Sequence, residues 1–286
     1  MARQRKLAYL ALLTATWIWG IAPPLIKYTL NFISPTTFLF YRFLLAGIIL
    51  APIIVKKRKQ LNWSYGLIGL TGAPLNLLLL FEGIKRTSAS EASVLAVISP
   101  LFTVIGGLIF LQEKLTANEK MGLGVAGVGI LLTLAQSGLD QNHLVGNLLV
   151  LAGSICWAFF TLMSKKQQTD PGLLTAVAFG GGAIIAAPLV DKWSVAAAAW
   201  PGVLYMAIGG SLIAYWAYSW GVKQIEASEA SLFTYLQPMF GLPLAWLALR
   251  EAVSFWFLLG TGLIAAGVVI SEFLSYNGGH EGQNSS

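Results

Sequence analysis

The sequence predicts an all-α integral membrane protein whose ten transmembrane helices form two inverted five-helix repeats. Three observations carry this prediction. Of the 286 residues, 56% are apolar and only 10% are Asp, Glu, Lys or Arg, against about 25% charged in a soluble domain whose surface must face water. Ten apolar stretches are long enough to span a bilayer, and at about 20 residues each they leave no room for a soluble domain. The second half also repeats the first at an offset of 138 residues, and repeats with an odd number of spans must enter the membrane in opposite directions. The composition excludes a cytosolic enzyme, a nucleic-acid-binding module and a secreted scaffold. The formal charge of +6 is read as membrane topology, because the basic residues lie between apolar runs.

The spans fall near 7–29, 36–55, 63–83, 90–111, 118–136, 144–164, 171–190, 200–221, 228–249 and 254–274. The first follows Arg3, Arg5 and Lys6 and continues past Trp17 and Trp19 without a small-residue cleavage site, so it is a span and not a signal peptide. Pro23-Pro24 near its middle removes two N–H donors from the helical ladder, and Pro74, Pro100 and Pro238 each remove one elsewhere. The second span carries Arg42 about seven residues inside. An unpaired cation there costs roughly 2.5–3.5 kcal/mol, so Arg42 should have a partner, with Glu82 of the third span as a candidate. The fourth span opens on Ala89-Ser90-Glu91-Ala92-Ser93, where Ser88 and Glu91 have capping-box spacing and the small residues allow close helix approach. In the fifth, Gly122, Gly124, Gly127 and Gly129 read as a packing surface, since no Lys or Thr follows in a phosphate-binding arrangement. The sixth holds Trp157 and the single Cys156, which rules out an intrachain disulfide. In the eighth, Ser211, Tyr215 and Tyr218 recur on one helix face, while Trp63 and Trp200 lie at span ends as interfacial anchors. All spans should be helical, because backbone in lipid must satisfy its own hydrogen bonds and the runs are too uniformly apolar for barrel strands.

With the N-terminus in the cytoplasm, 12 basic residues fall inside, including Lys56, Lys57, Arg58 and Lys59, and 5 fall outside (Lys27, Lys85, Arg86, Lys192 and Arg250). The positive-inside bias therefore predicts both termini in the cytoplasm. Residues 1–137 form the first repeat and 138–275 the second; 276–286, with Gly278, Gly279 and Gly282, is expected to be a disordered cytoplasmic tail.

The offset of 138 aligns Trp19 with Trp157, Lys27 with Lys165, and Ala89–Ser93 with Ala227–Ser231. It further aligns Pro100 with Pro238, Glu113 with Glu251, and Gly122, Gly124 and Gly129 with Gly260, Gly262 and Gly267. With a shift of two residues, Ala51-Pro52 overlies Ala187-Pro188. Inverted repeats are the architecture of alternating-access carriers, with the substrate site near the midplane between the halves. The paired Ala-Ser-Glu-Ala-Ser runs, the Pro about ten residues later, the closing Glu, the Gly-rich span that follows, and Arg42-Phe43 resemble the EamA-type transporters of the drug/metabolite transporter superfamily. The resemblance covers Trp19 to about Glu272. It implies a ten-helix carrier of the bacterial inner membrane, commonly an exporter of amino acids or other small metabolites, with a cavity lined by the first, third and fourth helices of each half.

On that mapping the substrate-binding candidates are Trp19, Asn76, Ser99, Trp157, Tyr215, Tyr235 and Gln237, with Thr234 as a further polar handle. Aromatic faces with few polar groups suit a small amphipathic solute or an organic cation. Arg42 and Glu82 are the gating or coupling candidates. Glu82 has no acidic counterpart, since Trp220 occupies its repeat position, so it is a candidate for proton coupling. His143 and His280 fall in a loop and the tail, and no metal-ligand cluster is present, so neither an enzyme nor a metal or cofactor is expected. The expected function is a secondary carrier, exporting an amino acid or similar amphipathic metabolite by alternating access. A lipid or multidrug/organic-cation exporter on the same fold is the alternative. The expected partners are the small-molecule substrate and the lipid bilayer, with no nucleic acid; protons are the candidate coupling ion, and monomer or dimer is left open.

Overall fold

A computed structural model describes residues 2–96, 98–111, 117–136, 141–225, 230, 233–251 and 254–281. The described chain is predominantly helical: α1 Gln4–Thr29, α2 Pro35–Gln60, α3 Trp63–Arg86, α4 Ala89–Phe110, α6 His143–Lys166, α7 Pro171–Leu189 and α8 Ala197–Gln224, joined by α5 Ala117–Gln136, α9 Gln237–Leu249 and α10 Phe255–Glu281. Among the described residues, α1 to α4 and α6 to α8, seven helices, are long and apolar enough to cross a membrane, and α10 holds a shorter apolar stretch, Phe255–Gly267. The expected span 228–249 falls partly on residues outside the description. The last helix is described through Glu281, and the rest of the expected tail, 282–286, lies outside the described residues.

Local sequence accounts for where the helices start and bend. Ser34 caps α2 by accepting from the Thr37 N–H, with Pro35 at the first helical position. Asp170 caps α7 by accepting from the Leu173 N–H, with Pro171 in the same place, where a missing N–H costs least. Pro23-Pro24 does not sit in a continuous helix: α1 breaks at Ile21, so that the two prolines enter the first turn of its second segment, Ala22–Thr29. In α3 and α8 the ladder widens into π-helical turns at Thr71–Leu75 and Met206–Ile213, and such turns are frequent at functional sites. The capping box at α4 is half formed. Ser88 accepts from the Glu91 N–H at 3.0 Å, while the Glu91 carboxylate takes the Thr87 hydroxyl instead. The N–H groups of Ala89 and Ser90 are each held at 2.8 Å by Glu251.

The helices pack in a reciprocal pattern: α1 on α8, α3 on α6, α2 on α7, α5 on α10 and α4 on α9. The α2 and α7 helices run antiparallel. Lys57 at the end of α2 pairs with the α7 cap Asp170 at 2.7 Å, while Asp191 beyond α7 accepts from Ser34 and Thr37 at the start of α2, at 2.5 and 2.7 Å. Those two hydroxyls, Ser34 first, hold the Asp191 carboxyl down to about 2, below the usual carboxylate range. Helices α5 and α10 are likewise antiparallel and in backbone contact. A Cβ on Gly129 would lie 2.6 Å from the Gly260 carbonyl, and one on Gly267 would lie 2.5 Å from the Gly122 carbonyl. Gly124 and Gly127, by contrast, have nothing within 4 Å of their Cβ positions, so the expected packing surface is confined to the Gly122 and Gly129 face.

Two lysines tie the helix ends of the two halves in the same way. Lys27 Nζ donates to the carbonyls of Ile84, Lys85 and Thr87 at 2.8, 3.2 and 2.5 Å. Lys165 Nζ donates to Val222 and Ile225 at 3.2 and 2.5 Å. Each meets the carbonyls left unpaired at the C-terminal end of a helix, where a cation also complements the helix dipole. Lys27 and Lys165, Ile84 and Val222, and Thr87 and Ile225 are all related by the offset of 138 residues seen in the sequence.

Candidate functional site

A cavity of about 90 Å³ lies between α1, α2, α3, α4, α6, α8 and the segment from Thr234 to Gln237. Its wall brings together Trp19, Asn76, Ser99, Trp157, Tyr215 and Gln237 with Thr234 and Arg42. The backbone of Tyr235 belongs to the turn Phe233–Leu236, and its side chain lies outside the described residues. Glu82 does not line the cavity.

The centre of the site is a group of aromatic edges. The rings of Trp19 and Trp157 meet edge to face at 5.1 Å and 87°, and Tyr215 stands edge-on to both at 5.3 and 5.2 Å. These separations are in the favourable range for edge-to-face pairs. The polar tips are committed to backbone: Trp19 Nε1 donates to the Gly210 carbonyl at 3.0 Å, and the Tyr215 hydroxyl donates to the Gly72 carbonyl at 2.5 Å. Gly72 and Gly210 sit in the π-helical turns of α3 and α8 and are repeat equivalents. Each widened turn thus offers a carbonyl to a cavity aromatic. Ser211, Tyr215 and Tyr218 do share one buried face of α8, at 0%, 2% and 1% exposure.

Arg42 is fully buried, at 0% exposure, and its partner is not Glu82. Glu82 pairs instead with Arg86, one turn along its own helix, at 3.4 Å, near the C-terminal end of α3. Arg42 Nε donates to Ser211 Oγ at 2.7 Å, and Ser211 in turn donates to the Met206 carbonyl at 2.9 Å. The guanidinium lies 5.8 Å from the Phe81 ring centroid and 5.7 Å from that of Phe179, within cation–π reach. Asn76 Nδ2 is held by the Gly153 carbonyl at 2.8 Å. Sequence reasoning missed Phe81 and Phe179 as the rings beside Arg42, and the π-helical turns. Gly72 and Gly210, one repeat apart and each the acceptor for a cavity aromatic, are the signal that could have found the turns.

The EamA-like transporter family model matches residues 6–135 and again 144–273. The chain belongs to that family. The two matched segments start and end 138 residues apart, which is the repeat offset found in the sequence. An uncharacterized transporter of Bacillus subtilis, YyaM, is 26% identical over 92% of this chain and 93% of its own length. An uncharacterized inner membrane transporter of Escherichia coli, YedA, is 27% identical over 91% of this chain and 88% of its own. One crystal structure superimposes with a TM-score of 0.74 at 19% identity, covering 94% of this chain and 98% of that one, and so shares the fold. An EamA-like chain with several apolar membrane-length helices, whose relatives are named as transporters, is a membrane transporter.

Proposed function

We propose that this EamA-like transporter is a secondary carrier that exports a small amphipathic organic solute, an amino acid or similar metabolite, across the bacterial inner membrane by alternating access. Its fold is ten transmembrane helices in two inverted five-helix repeats, 1–137 and 138–275, with both termini cytoplasmic. The observation that carries this reading is the antiparallel contact between repeat-equivalent helices. Gly129 of α5 meets Gly260 of α10 while Gly122 meets Gly267, and a pair of equivalent helices that run in opposite directions is what inversion requires. Inverted halves around a midplane cavity support rocking of one half against the other. The repeat-equivalent Trp19 and Trp157, which meet edge to face in the cavity wall, support a site to which both halves contribute. Glu82, paired with Arg86 and away from the cavity, has no coupling role in this reading.

The test is exchange in proteoliposomes. Vesicles preloaded with unlabelled phenylalanine, leucine, hydrocinnamate or phenethylamine should take up the labelled form of at least one of them through the protein. The absence of exchange for all four would overturn the carrier reading.

A further inference from the structure

The cavity holds one strong polar group whose bonding is incomplete. A guanidinium has five N–H donors, and the structure of Arg42 uses one of them, Nε–H on Ser211. Nη1 and Nη2 are buried and have no hydrogen-bond partner among the described residues. The Ser211 hydroxyl donates to the Met206 carbonyl, so its oxygen is an acceptor that fixes the Nε edge of the guanidinium. The wall that contains this edge has no Asp or Glu among its described residues, and the two phenyl rings beside the guanidinium offset its charge only partly.

From this we infer that the Nη1/Nη2 edge of Arg42 is the docking point for the carboxylate of the transported solute, and that the cavity selects small apolar monocarboxylates over amines. This rests on the carrier reading above and names the substrate class of the same cavity. A planar carboxylate matches the guanidinium fork and accepts two parallel hydrogen bonds, geometry that an ammonium or a single acceptor cannot reproduce. It also neutralises a cation that is otherwise desolvated and uncompensated. The apolar body of the solute would then lie against the Trp19, Trp157 and Tyr215 edges. A solute ammonium finds no carboxylate there, so an amine confers no advantage, and a quaternary or primary amine without a carboxylate meets a like charge. A volume of about 90 Å³ corresponds to about three waters at roughly 30 Å³ each, a scale that suits a small metabolite and not a lipid.

The test compares ligands that differ only at the charged end, using the full-length protein in detergent and reading the affinity by calorimetry and the thermal shift on binding. Hydrocinnamate should bind at least tenfold more tightly than its neutral isostere hydrocinnamamide, and phenethylamine should bind no better than the amide. Arg42→Gln should weaken hydrocinnamate about 30-fold or more, as expected when one member of a desolvated charge pair is removed, while leaving hydrocinnamamide unchanged; Arg42→Lys should fall between. Should Arg42→Gln not fold, the acid-to-amide ratio on the unaltered protein decides alone. Equal binding of acid and amide, a preference for the amine, or no binding of the acid overturns the proposal. Exchange of phenethylamine but not of hydrocinnamate in vesicles would leave the carrier standing and remove the carboxylate site. Binding of hydrocinnamate with no exchange of any solute would do the reverse.

Discussion

Substituting Gly72 by Ala perturbs the cavity from behind, and the structure sets the size of the effect. A Cβ at Gly72 would stand 2.0 Å from Phe160 Cδ2 and 2.5 Å from its Cγ, where real Cβ contacts stay above 3.0 Å, so the ring has to retreat by about 1 Å. Phe160 is 1% exposed and stacks on Trp157 at 4.9 Å and 29°, so the displacement passes to a cavity wall. Overpacking a filled core typically costs 1–3 kcal/mol. The helical gain of Ala over Gly, about 1 kcal/mol, offsets only part of that, and the expected net loss is about 1–2 kcal/mol. Gly66→Ala, with nothing within 4 Å of its Cβ position, should instead stabilise by up to about 1 kcal/mol. The decisive measurement is a double-mutant cycle by unfolding in detergent. Phe160→Ala alone should cost about 3–5 kcal/mol. In that background Gly72→Ala should cost nothing or help, because the new methyl enters the space the ring has left. The coupling expected is about 1–3 kcal/mol. Additivity within about 0.5 kcal/mol would refute the claim that Gly72 is reserved for the Phe160 ring.

Four further outcomes follow from the same geometry. Lys27→Met and Lys165→Met each remove charged hydrogen bonds to helix-end carbonyls and should destabilise by similar amounts, about 1–2 kcal/mol, in thermal unfolding; a loss at one position alone would mean the tethers are not equivalent. Asp191 has its pKa depressed to about 2 in the folded protein by Ser34 and Thr37, against about 3.9 unfolded. Its stabilisation is therefore complete above about pH 4 and is lost as the pH falls towards 2, and the stability difference between the wild type and Asp191→Asn should shrink over that window and stay flat above it. Trp19→Ala and Trp157→Ala should weaken ligand binding, whereas Trp63→Ala, at a residue 77% exposed, should leave it unchanged; equal losses at all three would mean the tryptophans act only through packing. In a Cys156→Ser background, Arg58→Cys should be labelled only from the cytoplasmic side, and labelling from outside would end the inverted-repeat reading.

Helical spans and duplication were legible in the sequence because both are written in long-range patterns: uniform apolar runs, and an offset that holds over both halves. The lysine tethers were half legible. Lys27 and Lys165 aligned, but their acceptors are backbone carbonyls, which carry no side-chain signature. The aromatic wall could be located because Trp19, Trp157 and Tyr215 lie deep in helices that pack together. The partner of Arg42 could not. Electrostatics favours an acid, and Glu82 is the acid nearest in sequence, yet Arg86 one turn along the same helix competes for it at no cost in chain folding. The position of Ser211 depends on how α2 packs against the widened turn of α8, which no local spacing records. The π-helical turns themselves were hidden for the same reason, since Pro74 accompanies the turn in α3 but Leu212 stands at its equivalent in α8.

What the duplication keeps and what it drops separate scaffold from chemistry. The residues that hold the helices together come in equivalent pairs: Lys27 and Lys165, Gly129 and Gly267, Gly72 and Gly210, and the caps Ser34 and Asp170, each followed by proline. Trp19 and Trp157 extend this equivalence to the cavity wall, and Phe43 and Phe179, equivalent at the shifted offset of 136, meet in the core with their rings 5.7 Å apart. Arg42, its partner Ser211 and Asn76 break it, although Ser99 and Gln237 stay polar at equivalent positions. Arg42 overlies Ala178, Ser211 overlies Ala73, and Asn76 overlies Ala214. A symmetric frame lets the two halves exchange packing partners with little change in energy, which is what a carrier visiting two states of similar stability needs. A single guanidinium on one side of that frame gives the solute one orientation instead of two. Placing a second arginine at Ala178 should therefore not double the affinity for a monocarboxylate. Ala178 is buried and packs against Gly69, where a Cβ would stand 3.2 Å from the Ala178 Cα, so a cation there has neither room nor an acid to pair with, and the protein should lose stability without a gain in affinity. Tighter binding of hydrocinnamate by a stably folded Ala178→Arg variant would show that the asymmetry carries no selectivity.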